Sequence, residues 1–247
     1  MSQYPVHIYN NTDALSRAAA QRWIELAEQA IKARGQFHIA LSGGTTPRSL
    51  YECLASPEFA GRVDWQHVHV WFGDERTVPP GHPDSNYRMA CEALLSHVPI
   101  PPAHVHRIEA EKDAAAQAYE TLITASIPRS AAGVAQFDLI LLGLGPDGHV
   151  ASLFPDTAIL QERVRQVAAV HVDKLNTWRI SLTLPVIDSA RHIIVLVAGA
   201  AKAEIVRQIL TEGQRSVPYP VQMIHPAGTF EWYLDAAAAQ ALPEATP

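Results

Sequence analysis

At 247 residues, with 48% apolar and 18% charged side chains, the chain is long and apolar enough to bury a sizeable core as one globular domain. Its net charge of -6, with no run of Lys and Arg, excludes a nucleic-acid backbone as the main partner, because such backbones are held by clustered cations. The two cysteines, Cys53 and Cys91, lack CxxC spacing, MSQYPVHIYN lacks the basic and apolar regions of a secretory signal, and no apolar run approaches the roughly 20 residues that span a bilayer. A reduced, cytoplasmic protein without a membrane role is expected.

In chain order, a strand is predicted at Val6–Tyr9 and a helix at Asp13–Arg34. Phe37–Leu41 then runs as a strand into SGGTTP and a helix at Pro47–Leu54, and Val68–Phe72 runs into GDER. Helical periodicity returns at Asn86–Leu95 and Asp113–Ser126; the Pro-rich pieces 78–83 and 98–102 are too short for linkers and read as loops. Phe137–Leu142 runs into GLGPDGH, Ile180–Leu184 into Pro185, and His192–Val197 into AGAAK and a helix at Ala201–Leu210. Further strands are read at Val167–Val172 and Val221–Ile224. Residues 1–236 form the expected single domain, and the Ala-rich, Pro-containing 237–247 reads as a disordered tail. Strands alternating with helices, the central ones almost continuously apolar, predict a single-domain α/β fold: a doubly wound, mostly parallel sheet with helices on both faces. Ligands of such sheets bind beyond the carboxyl ends of the strands, and the polar motifs lie there.

The first motif, Ser42-Gly43-Gly44-Thr45-Thr46-Pro47, aims backbone amides at a helix start, as an anion site requires; an ordinary capped glycine turn is the plainer alternative. A serine-hydrolase elbow needs GxSxG, and Ala40 stands at the first Gly position, which makes Ser42 a poor nucleophile. The second motif places Asp74, Glu75 and Arg76 just past a buried strand, where a carboxylate can hold a sugar hydroxyl and Arg a phosphate or oxyanion. In the third, Gly143-Leu144-Gly145-Pro146-Asp147-Gly148 matches GxGxxG only formally, since Asp147 would meet the pyrophosphate and no acidic residue follows about 20 positions on. The glycines instead set Asp147 and His149 at a strand tip, where an imidazole can exchange protons. Arg179 and Lys202, from separate strand–helix units, could converge on one phosphate. His67 with His69, or His104 with His106, has a spacing that suits metal ligands, but no third ligand pattern accompanies them and no metal site is read.

Together SGGTTPRSLYECL, WFGDER with DSNYRMA, GLGPDGHVASLFP, RISLTLPVI and the Gly199–Lys202 segment resemble the 6-phosphogluconolactonase family across nearly the whole chain. That family shares its fold with glucosamine-6-phosphate deaminases; Arg76 after Asp74 and Glu75, and SLFP after His149, resemble the lactonases more closely. Asp188 departs from the Asn that the family commonly carries after LTLP. The resemblance implies hydrolysis of a sugar-phosphate lactone, 6-phospho-D-glucono-1,5-lactone, without metal or organic cofactor. By the same resemblance His149 is the general base, and Asp74 and Asp147 orient the imidazole or sugar hydroxyls. Arg76 reaches the oxyanion or phosphate, while Arg179, Lys202 and the amides of Gly43, Gly44 and Thr45 hold the phosphate. An isomerising deaminase, or a sugar-phosphate binding module that has lost its chemistry, are the competing readings.

Overall fold

The computed structural model describes residues 4–211 and 217–243. Its main sheet has six parallel strands: β1 (Val6–Tyr9), β2 (Phe37–Leu41), β3 (Val68–Phe72), β5 (Leu139–Gly143), β8 (His192–Val197) and β9 (Thr229–Asp235), in the order β1-β9-β8-β5-β2-β3. From β2 the chain winds outward to β3 on one side, then through β5, β8 and β9 on the other. The connections leaving β2 and β5 therefore part in opposite directions, which opens a crevice at their carboxyl ends. The remaining strands, β4 (Asp74–Arg76), β6 (Val167–Val172) and β7 (Thr177–Leu182), form an antiparallel sheet in the order β4-β7-β6. Gly73 joins the two sheets: its N–H donates to Leu41 O of β2 at 2.8 Å, and its carbonyl accepts from Leu182 N of β7 at 2.8 Å.

Helices cover both faces of the main sheet. Helix α1 (Thr12–Arg34) is capped by the Asn11 side chain and closed by Gly35. It presents Trp23 to Phe37 with ring centroids 6.1 Å apart. The parallel register Ala40↔Trp71 puts Trp71 on the opposite face, where Tyr119 of α4 (Ala115–Ser126) meets it at 6.0 Å. Helices α2 (Thr45–Ala55), α3 (Asn86–Ala90), α5 (Leu184–Ser189), α6 (Ala203–Thr211) and α7 (Ala236–Ala239) complete the chain. One contiguous apolar cluster runs from Leu15 to Ala239, so the α/β fold is built around a single core. No described helix is long and apolar enough to cross a membrane.

Some elements differ from the sequence expectation. The predicted strand 221–224 is not formed: residues 221–223 belong to a 3-10 turn, Pro220–Met223, that Ile224 follows, because Pro220 opens a helical turn that Gln222 closes onto Tyr219 N. The strand that completes the sheet is β9, where alternating Phe230, Trp232 and Leu234 are buried. The unstructured tail does not begin at residue 237: Asp235 caps α7 at Ala238 N, and Ala238 is fully buried. The end of that predicted tail, 244–247, lies outside the described residues. The helix from Asn86 winds differently than its pattern implies, passing from α3 into a π-helical turn at Cys91–Leu95.

Of the histidine pairs, His69, His104 and His106 are brought together, while His67 stays exposed and pairs with Asp64. His69 stacks on His38 at 4.9 Å and on His104 at 4.0 Å, and His106 stacks on Trp71 at 3.9 Å. His69 Nδ1 and His106 Nε2 lie 3.1 Å apart in a hydrogen bond, which engages one nitrogen of each ring, and no group of three or more metal-binding side chains occurs among the described residues. Burial is the largest cause that holds these rings neutral, lowering His38 to about 3 and His69 and His106 to about 4. The unfolded chain takes up protons at about pH 6.5 that the folded one refuses, so stability is kept above that pH and lost as pH falls toward 4. Urea unfolding should therefore show a lower midpoint at about pH 5 than at about pH 7, with protons absorbed on unfolding. Equal midpoints would contradict it.

Candidate active site

The crevice between the β2 and β5 ends holds a cleft of about 250 Å³, lined by Gly43, Gly44, Thr45, Asp74, Arg76, Asn86, Gly145, His149, Arg179 and Lys202 among others. Of the sequence-derived candidates, Asp147 and Glu75 do not line this cleft; Asp147 stands behind His149 and reaches it by hydrogen bond. A larger hollow of about 570 Å³ between α4 and the Tyr87–Leu95 segment brings together none of these motifs. Chemistry rather than size singles out the cleft.

His149 is placed by a tight turn: Gly148 N–H donates to Gly145 O at 3.1 Å, and Gly145 N–H donates to His149 O at 2.8 Å. A Cβ on Gly145 would lie 2.0 Å from His149 Nδ1, so only glycine lets the imidazole fold back over the strand end. His149 Nδ1 lies 2.5 Å from Asp147 Oδ1, and Phe154 stacks on the ring at 3.9 Å. With Nδ1–H donated to the carboxylate, Nε2 carries the lone pair. Burial is the main cause that lowers the imidazole to about 4; Asp74 opposes the shift, while Lys202, Arg179 and Arg76 add to it. Neighbouring carboxylates alone would have raised it, and the sequence offered no way to weigh burial and three converging cations against them.

Asp74 and Glu75 are adjacent in sequence and opposite in role. Asp74 is 5% exposed and lines the cleft; its Oδ2 accepts from Ser152 Oγ at 2.7 Å and its Oδ1 from Asn86 Nδ2 at 3.2 Å. Glu75 turns away and accepts from the amides of Arg76, Asn86 and Tyr87, each at 2.8 Å, anchoring the start of α3. Burial raises its carboxyl despite those bonds. Asn86 and Ser152, which motif reading did not single out, hold the Asp74 carboxylate. Asn86 packs so closely that a Cβ on Gly43 would stand 2.0 Å from its Oδ1, which ties the glycine turn of β2 to the carboxylate of β4.

The cations gather on the other wall. Arg76 and Arg179 are directly opposed across β4 and β7. Arg76 Nη1 donates to Asp84 O, but Nε of both arginines is buried without a partner. Like charges opposed across a ladder repel, and Arg179 is lowered by burial first and by Arg76 second. Lys202, in the 3-10 turn Ala200–Lys202 before α6, is also lowered by burial. The first turn of α2, with Gly44 as N-cap and no capping side chain, opens on the same cleft. Three cations and a bare helix start on one cleft have the chemistry that suits an anion. Ser42 Oγ accepts from Gly143 N at 3.2 Å and donates to Gly43 O at 3.4 Å. Asp188, the departure from the resemblance, lies outside the cleft and ties down the later loop by accepting from His225 N at 2.8 Å.

A family model described as glucosamine-6-phosphate isomerases/6-phosphogluconolactonase matches residues 10–232. The chain belongs to this family. It is 40% identical to a Haemophilus influenzae protein named 6-phosphogluconolactonase, over 83% of this chain and 87% of that one. It is 39% identical to a Streptomyces coelicolor protein of the same name, over 96% and 94% respectively. Among solved structures, a 6-phosphogluconolactonase from Trypanosoma brucei superposes with a TM-score of 0.87 at 29% identity, covering 98% of this chain and 100% of that one.

Proposed function

We propose that this family member is a lactone hydrolase that converts 6-phospho-D-glucono-1,5-lactone and water to 6-phospho-D-gluconate. The observation that carries this reading is the meeting, in one cleft, of His149 with Arg76, Arg179 and Lys202. The pentose phosphate pathway is the corresponding metabolic setting, and the lactone the small-molecule partner. The relatives' shared name supports the same substrate.

In the proposed cycle Arg179, Lys202 and the amides of Gly43, Gly44 and Thr45 hold the phosphate, an anchor whose binding energy sets the lactone carbonyl against a water at His149 Nε2. His149 removes a proton as the water oxygen bonds to C1, and the carbonyl oxygen takes up negative charge near Arg76. The tetrahedral adduct collapses as the C1–O5 bond breaks, and the imidazolium gives its proton to O5. The ring opens to hydroxyl and carboxylic acid, which ionises in water. Asp147 keeps the imidazole in the Nδ1–H tautomer, and Asp74, fixed by Ser152 and Asn86, receives a sugar hydroxyl.

A coupled assay that generates the lactone in situ should show hydrolysis well above the slow spontaneous opening. A rate equal to the blank, or release of ammonia from glucosamine-6-phosphate instead, would replace this reading.

A further inference from the structure

His149 is flanked by two supports, and one side chain outside the cleft touches both. Strands β6 and β7 are joined by the 3-10 turn Asp173–Leu175, closed by Asn176 in the left-handed region at φ 44°. From that turn Lys174 Nζ pairs with Asp147 Oδ2, the oxygen not used by His149. The same Nζ lies 4.8 Å from the centroid of Phe154, whose ring stacks on the imidazole. Carboxylate and aromatic ring are thus each held between the histidine and one lysine. Lys174 is not among the residues that line the cleft.

We propose that Lys174 is a positioning residue for His149, fixing the orientation and tautomer of the imidazole through Asp147 and Phe154. The inference rests on His149 as the base of the proposed hydrolysis. Two physical consequences follow. An Asp147 carboxylate pinned at Oδ2 presents Oδ1 to Nδ1–H in a set direction, which leaves Nε2 aimed at the cleft. Lys174 also draws on the charge of Asp147 and adds a cation behind the ring, and both effects disfavour imidazolium. The other charged groups around the ring are Asp74 and Arg76 on β4, Arg179 on β7 and Lys202 before α6. These all act from the cleft side, and Lys174 acts on the other side through Asp147.

The turn gives the fold a simple way to couple its second sheet to the chemistry. The β6–β7 hairpin supplies Arg179 to the cleft from one strand and Lys174 to the back of His149 from its tip. Since half of the Lys174 side chain is exposed, the effect is screened and modest in size.

The test compares the whole protein with K174M, which keeps length and apolar bulk, and K174R, which keeps the charge. The His149 ring is followed by NMR titration and assigned by the signal lost in H149Q. In K174M its titration should move upward by about half a unit to one unit, and K174R should restore it. The acidic limb of kcat should move the same way, with kcat reduced about two- to fivefold and KM nearly kept. Thermal melting should be close to that of the parent. A His149 titration and tautomer unchanged in K174M overturn the proposal, even if kcat falls, because lost activity alone would fit a merely structural contact. Because titration needs no substrate, it is separable from the function: a parent protein that leaves the lactone untouched but shows the shift sinks the hydrolase reading and leaves this one standing.

Discussion

Arg179→Ala should weaken binding of 6-phosphogluconate by about 1.5 to 3 kcal/mol, about 10- to 150-fold, while the empty protein becomes no less stable. Both halves come from the same geometry. Arg179 faces Arg76 directly across the β4–β7 ladder, with its Nε buried and unpartnered. In the empty cleft this is two like charges held close together in a partly dehydrated place, so removing one relieves repulsion. With a phosphate seated, the same guanidinium gains charge-assisted bonds that water no longer competes for. Lys202→Ala should lose affinity similarly and likewise cost no stability, since burial, which lowers its basicity, disfavours its charge in the fold. Calorimetric titration with the product, and thermal melts with and without inorganic phosphate, read the two halves separately. Phosphate should raise the parent's melting temperature and not that of Arg179→Ala. Unphosphorylated gluconolactone should be a poor substrate. Equal turnover of both lactones at low concentration, or an Arg179→Ala protein that binds product like the parent, removes the phosphate assignment.

Much of this arrangement is legible in the chain because the fold and the site use the same signals. Branched, almost continuously apolar runs such as Leu139–Gly143 and His192–Val197 mark central parallel strands, and their abrupt ends at Gly or charge mark where ligands bind. What could not be read is whatever depends on long-range pairing. Asp74 and Glu75 look alike in the sequence; only the pairing of β4 with β7 sends one into the cleft and the other to the start of α3. The opposition of Arg76 to Arg179 is a register between distant parts of the chain, invisible to any local window. Strand β9 carries Glu231 and follows a turn at Gly228, and only its half from Trp232 to Asp235 is buried without interruption, just before the segment that reads as a tail. The proton affinity of His149 was the least legible quantity, since it is a balance between burial and charges delivered by three other segments.

That balance sets the pH behaviour of the proposed chemistry. His149→Ala should lower kcat by roughly 10² to 10⁴, the range lost with a positioned base, after spontaneous opening is subtracted. His149→Gln should fare almost as badly, because an amide holds water but cannot accept its proton. For the parent the sign is fixed by the requirement for neutral imidazole: the rate falls as pH falls through the pKa of His149. Burial and the cations Lys202, Arg179 and Arg76 bring that group to about 4 in the empty protein, so it stays competent well into mild acid, below the ordinary histidine range. A bound phosphate dianion offsets those same cations and removes their share of the lowering. The acidic limb of kcat, which reports the complex, should therefore lie above about 4 and move toward 4 in a substrate analogue lacking the phosphate. The substrate's own second phosphate ionisation, at about 6, also enters kcat/KM, so kcat is the diagnostic profile. Product binding should be nearly unchanged in both His149 variants, because the anchor stands on β7, before α6 and at the start of α2. Near-parent turnover by His149→Ala, or loss of product binding together with activity, would make His149 part of the scaffold rather than the base.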